Sequence, residues 1–127
     1  MEPINLSDGE WKLMEALWQN PPKTITQLTK ELYEKTQWSK HTIITMLNRL
    51  EAKEAVRHEE GQKAKEFYPC IRREEAAAEE TSGLLERVYN GSLGLMVNTL
   101  ISSNKVSREE LNELYQILEQ AEEEFYD

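Results

Sequence analysis

The stretch Trp38–Lys53, WSKHTIITMLNRLEAK, constrains the chain more than any other. Ser39 is placed to cap a helix, since its hydroxyl can take up an otherwise unpaired N–H of the first turn. Stepping at about 100° per residue puts Ile43, Met46, Leu47 and Leu50 within one arc of roughly 100°, the width of a core-facing stripe. The opposite arc carries His41, Thr42, Thr45, Asn48, Arg49 and the small Ala52. An ordinary solvated face is filled with Glu and Lys, whereas this one holds short hydrogen-bonding side chains, one Arg and no acid. Such side chains can reach base edges in a DNA major groove. A polar surface that happens to lack acids would look the same, so the flanking segments must decide.

Ser7-Asp8-Gly9-Glu10 has the spacing of a capping box, and Leu6 with Trp11 can form a hydrophobic staple. Trp11, Leu13, Met14, Leu17 and Trp18 share one broad face, which predicts a helix from Ser7 to Gln19 that buries both tryptophans. Asn20-Pro21-Pro22 ends it. A second helix is expected from a Thr26 cap to Thr36, with Leu28 and Leu32 as its core pair and a tight turn into the Ser39 helix. That spacing fits a helix-turn-helix. After Lys53 the period falls from 3.6 to about 2. Ala55–His58 and Ala64–Tyr68 read as two strands joined by the five-residue loop Glu59–Lys63. Arg57, Lys63 and Lys65 make this hairpin locally basic. A plain solvated edge, protected by charge from aggregation, would also carry such residues. Three helices followed by a hairpin describe a winged helix.

The net charge of −9 argues against a nucleic-acid binder until it is resolved along the chain. Residues 1–73 hold 12 Lys and Arg against 11 Asp and Glu, whereas residues 74–127 hold 3 against 13. The acidity therefore lies in the C-terminal part, which cannot lie along DNA. No apolar run approaches the roughly 18 residues of a membrane span. The stretch MEPINLSDGEW lacks the basic and apolar regions of a leader. With a single cysteine, Cys70, the expected location is a reducing cytoplasm. Cys70 follows Tyr68-Pro69 at the end of an apolar run and is expected to be a buried small hydrophobe.

The remainder reads as helical. An acidic, Ala-rich helix over Arg73–Tyr89 is stopped by Asn90-Gly91, and Ser92 caps a short apolar helix. Ser107-Arg108-Glu109-Glu110 is another capping box, opening a last helix with Val106 and Leu111 placed for the staple. Leu93, Met96, Val97 and Leu100 of the short helix, with Leu111, Leu114, Tyr115, Leu118 and Phe125 of the last, make apolar faces with no evident cover. Two copies covering each other would bury them, as would packing back on the same chain. The expected architecture is mainly α with a small β-hairpin: a winged helix-turn-helix DNA-binding domain over 1–73 and a C-terminal helical dimerisation region over 74–127.

The chain resembles the penicillinase-repressor (BlaI/MecI) family of bacterial winged-helix regulators. Leu6-Ser7-Asp8-Gly9-Glu10-Trp11 with Met14 and Trp18 carries the likeness, as does Trp38-Ser39 with Thr42-Ile43, Thr45, Leu47, Arg49-Leu50 and Lys53. So do Phe67-Tyr68-Pro69 and the stretch from Leu84-Leu85 through Gly91-Ser92-Leu93, so that the similarity runs from Leu6 to about Gln120. The resemblance implies a homodimeric repressor of an inverted-repeat, double-stranded DNA operator, with DNA contacts on the third helix and wing. Thr42, Thr45 and Arg49, with His41 and Asn48 beside them, are then expected to contact DNA, and Lys40, Arg57, Lys63 and Lys65 to contact phosphates. It also implies inactivation by a membrane sensor-protease, as in the β-lactamase branch, where the matching bond is Asn98-Thr99; Asn98, a lone polar residue in an apolar seam, would equally serve to fix the register of a dimer.

Four departures stand out. Glu54 replaces a usual Gly, which predicts a different turn. Glu59-Glu60 beside the wing tip weakens attraction for phosphate. The tail lacks the cysteine cluster of the copper-responsive branch, and Thr99 replaces an aromatic residue at the cleavage position. His41, His58 and Cys70 have no metal-ligand spacing, and no phosphate loop or nucleophile motif occurs, so no enzyme, metal or cofactor is expected. A reading of another class stays open: a winged-helix protein-interaction module whose acidic C-terminal part docks a basic partner.

Overall fold

The computed structural model describes residues 4–126. Met1–Pro3, the start of the stretch read above for a leader, and Asp127 lie outside them. The order is α1 (Asp8–Trp18), α2 (Ile25–Thr36), α3 (Lys40–Ala52), β1 (Val56–Glu60), β2 (Lys65–Pro69), α4 (Arg73–Tyr89), α5 (Leu93–Ser102) and α6 (Arg108–Phe125). The fold is mainly helical with one two-stranded antiparallel hairpin. No helix among the described residues is long and apolar enough to cross a membrane.

Local sequence explains most helix ends. Ser7 and Glu10 form the reciprocal capping box of α1, with the Glu10 amide 3.2 Å from the Ser7 hydroxyl and the Ser7 amide 2.8 Å from the Glu10 carboxylate. The cap of α2 is Thr24, two residues before the expected Thr26. Thr24 and Gln27 have capping-box spacing, and both reciprocal bonds are made at 2.9 and 3.1 Å. Ser39 caps α3 as expected, accepting from the Thr42 amide. Ser107 and Glu110 close a third box at the start of α6.

The chain divides into two compact units, one ending at Gly83 and one beginning at Leu84. In the first, Leu13, Met14, Leu17, Leu28, Leu32, Ile43, Leu47, Leu50, Val56 and Phe67 form the core, joined by Ala76 of α4. Of the expected stripe of α3, Ile43, Leu47 and Leu50 are buried and Met46 is half-buried against the core. The two tryptophans are only half-buried: Trp11 and Trp18 meet edge to face at 5.5 Å on the rim of the core. The Trp18 indole donates to the Ile71 carbonyl at 2.8 Å, and Arg73 pairs with Glu15, also at 2.8 Å. With Ala76 buried, these contacts carry the first unit past the expected boundary at residue 73. Cys70 is exposed and free, against expectation, because it lies in the β2–α4 turn where Ile71 turns toward the core instead.

The hairpin also differs from expectation. Glu59 and Glu60 belong to β1, pairing with Glu66 and Lys65, so the loop is the four residues Gly61–Ala64. The Glu60–Lys65 rung sets opposite charges across the ladder, which favours its extension. The Gly61 amide donates to the Ala64 carbonyl at 3.0 Å, and a Cβ on Gly61 would lie 2.5 Å from that oxygen, so the loop requires glycine there.

The turn after α3 has the backbone form that glycine favours, although Glu54 stands there. Glu54 takes the left-handed conformation, with φ of 66°. Its amide donates to the Glu51 carbonyl and the Ala55 amide to the Leu50 carbonyl, both at 2.9 Å. This is the Schellman pattern, with buried Ala55 and Leu50 in its usual apolar pair. The conformation costs a non-glycine residue roughly 1–2 kcal/mol.

In the second unit no described residue is buried. Leu93, Leu100, Tyr115, Leu118 and Phe125 are exposed, and Met96, Val97, Leu111 and Leu114 are half-buried. These helices expose apolar faces that a stable soluble unit would cover.

Candidate nucleic-acid interface

With Ile43, Leu47 and Leu50 in the core, α3 presents its other side outward. Lys40, His41, Asn48 and Arg49 are exposed, and Thr42 and Thr45 are half-buried between them. The two threonine hydroxyls are already engaged. That of Thr45 donates to the His41 carbonyl at 3.0 Å, and that of Thr42 lies 3.2 Å from the Ser39 hydroxyl. The Thr45 oxygen therefore offers lone pairs to a donor on a base edge, and its methyl offers apolar contact.

The last turn of α3 is tied on two sides. On one, the Lys53 ammonium donates to the Asn5 carbonyl at 2.7 Å and to the Glu10 carboxylate at 2.5 Å. Glu10 is buried, 2% exposed. Burial pushes its carboxyl up, but the Lys53 ammonium, with the Ser7 amide and hydroxyl, outweighs that and holds it below the usual range. On the other side Glu51, the one acid of α3, is hydrogen-bonded to His58 Nδ1 of β1.

The wing does not present its expected cations together. Lys65 shares a face with Phe67, the buried residue of β2, whereas Arg57 pairs across the ladder with Tyr68 on the opposite face. The Arg57 guanidinium lies 4.2 Å from the Tyr68 ring centroid and 3.3 Å from the Glu59 carboxylate. It is therefore partly neutralised before any ligand arrives. Lys40, Arg49, Lys63 and Lys65 make no ion pair among the described residues.

Sequence reasoning missed the Glu51–His58 contact and the place of Lys23. The Lys23 backbone forms a bridge with Phe67 at 2.8 and 3.1 Å, and its buried ammonium pairs with Glu31 and the Ala16 carbonyl. A signal for the first existed: His58 falls on the inward register of β1, and Glu51 is the only acid facing it from α3. Asn98 and Thr99 lie inside intact α5, both exposed, with the Thr99 hydroxyl donated to the Leu95 carbonyl at 2.8 Å.

The chain is similar to known proteins. The penicillinase repressor of Bacillus licheniformis is 36% identical over 115 residues, covering 91% of this chain and 90% of that protein. The methicillin resistance regulatory protein MecI of Mammaliicoccus sciuri is 23% identical over 113 residues, covering 89% of this chain and 92% of its own length. Among solved structures, the monomeric form of B. licheniformis BlaI in complex with the blaP half-operator superposes with a TM-score of 0.52 at 30% identity, covering 58% of this chain and 90% of that one. A sequence profile of the penicillinase repressor family matches residues 6–120, and the chain belongs to that family.

Proposed function

We propose that the chain is a DNA-binding transcriptional repressor that reads duplex DNA with α3 and binds as a homodimer through residues 84–127. The carrying observation is the outward face of α3, where Lys40, His41, Asn48 and Arg49 stand exposed with no acid among them while the opposite face is buried. Arg49 and Asn48 suit hydrogen bonding to base edges, as do the Thr42 and Thr45 oxygens. Lys40, Lys63 and Lys65, which make no ion pair among the described residues, are cations for phosphate, and these contacts set position more than sequence. Arg57, held by Glu59 and Tyr68, has a smaller part than the lysines. The similarity to BlaI, whose complex with a half-operator is known, supports this reading.

The second unit supports the dimer because none of its described residues is buried. A second copy would cover Leu93, Leu100, Tyr115, Leu118 and Phe125, and two linked reading heads suit an inverted-repeat operator. Cleavage between Asn98 and Thr99 by a membrane sensor-protease would part α6 from the reading head and release the operator through loss of bivalency. For that cut, α5 must open locally, because Thr99 is held inside it.

The test is retention of fragments of the source genome by the purified full chain at low salt, followed by sequencing. A small set of promoter fragments sharing an inverted repeat is expected. Absence of any duplex retention at low salt overturns the reading in favour of a protein-interaction module.

A further inference from the structure

The wing is tied at its base by buried Val56 and by the Ala55 amide bonded to the Leu50 carbonyl of α3, and the attachment farthest toward its loop is one rung. His58 of β1 faces Phe67 of β2, and their rings meet at 5.5 Å. Phe67 is held from one side by both backbone hydrogen bonds to Lys23. His58 is held from the other side by its hydrogen bond to Glu51 on α3. Beyond this rung, toward the loop, no hydrogen bond or ion pair among the described residues joins the hairpin to a helix. Lys63 and Lys65 both lie beyond it.

We propose that Glu51 and His58 are positioning residues for DNA binding: their bond sets the wing against α3 and so places Lys63 and Lys65 on phosphate. This rests on the DNA-binding reading. A two-stranded ribbon is marginal by itself and gains its orientation from what it packs on. With the Glu51 acceptor removed, the base of the hairpin stays held by buried Val56, the Ala55–Leu50 bond and the Lys23–Phe67 bridge. The part toward the loop then has no hydrogen bond or ion pair to α3 among the described residues and can swing from it. Placement of a charged side chain by a rigid scaffold then gives way to a spread of positions.

The experiment measures full-chain affinity for a mixed-sequence duplex as a function of salt. Each phosphate contact contributes a log–log slope of about −0.9. Glu51→Ala and Glu51→Gln both remove the negative charge, but only Ala removes the acceptor, so the pair separates the bond from the charge. Glu51→Ala is expected to flatten the slope by about two units per reading head, for Lys63 and Lys65 together, while Glu51→Gln keeps the slope of the parent. His58→Phe keeps the ring packing on Phe67 and loses the donor. It is expected to match Glu51→Ala and supplies the reading should that variant fail to fold. In the His58→Phe background, Lys63→Ala with Lys65→Ala should flatten the slope no further, although the same pair does so in the parent. Equal slopes for Glu51→Ala, Glu51→Gln and parent, or full additivity of the lysine and His58 changes, would overturn the proposal. A parent with no salt dependence would remove the DNA-binding reading and this role with it, a result distinct from the first two.

Discussion

The Lys53 ammonium at the end of α3 meets the buried Glu10 carboxylate at the start of α1, 2.5 Å apart. The two sides of this pair are unequally buried. The Lys53 side chain is 36% exposed and that of Glu10 only 2%. Removing the lysine strands a charge in the core, whereas removing the acid leaves an ammonium that can reach water. Lys53→Ala should therefore cost more stability than Glu10→Gln, on the order of 3 against 1–2 kcal/mol. Chemical denaturation of both variants checks the order, and equal or reversed costs would show that the pair contributes little.

Acid should act through the same carboxyl. Glu10 is held below its ordinary value of 4.5 in the folded state. Its contribution is therefore complete above that value and is lost as the pH falls from there through the lowered folded one. Parent and Glu10→Gln should show a stability gap at neutral pH that narrows on acidification below about 4.5. A gap that widens in acid would mean the carboxyl is raised instead.

Glu54 offers a stabilising change. Its φ of 66° suits glycine, and the Schellman bonds around it are backbone bonds that glycine retains. Relief of roughly 1–2 kcal/mol of strain, less glycine's greater entropy in the unfolded chain, leaves Glu54→Gly more stable by about 0.5–1 kcal/mol. Thermal unfolding reads this directly, and a fall in midpoint would contradict the strain.

Assembly separates the two units. A fragment ending at Gly83 holds the whole described core, including Ala76, so it should fold as a monomer. The full chain should sediment as a dimer and bind an operator about 10²–10⁴ more tightly than the fragment. A monomeric full chain at tens of micromolar would sink the dimer.

Much of this was legible in the sequence because it is local. Ser7, Ser39 and Ser107 mark their helices through contacts within one turn, and the 3.6-residue stripe of α3 names its core residues. The cap at Thr24 is equally local, because Gln27 stands at capping-box spacing from Thr24, whereas Thr26 has Thr29 at that spacing. What stayed hidden depends on distant pairing. The Lys23–Phe67 bridge and the Glu51–His58 bond join elements that no sequence spacing relates. The extent of β1 was missed because Glu59 and Glu60 read as loop until Lys65 stands opposite. Cys70 was misplaced because it ends an apolar run, whereas the alternation of β2 sets it with Glu66 and Tyr68, opposite the face of buried Phe67.

The most direct measurement of the central claim compares Thr45→Ala with Lys63→Ala on an operator duplex retained from the genome and on a mixed-sequence duplex. Thr45 sits on the outward face of α3, and Lys63 sits in the wing loop with no ion pair among the described residues. Thr45→Ala should relax base preference by roughly 1–3 kcal/mol at one position of each half-site and leave mixed-sequence binding unchanged. Lys63→Ala should weaken both duplexes alike and flatten the salt slope by about one unit. If the two variants behaved alike on both duplexes, α3 would not be the element that reads DNA.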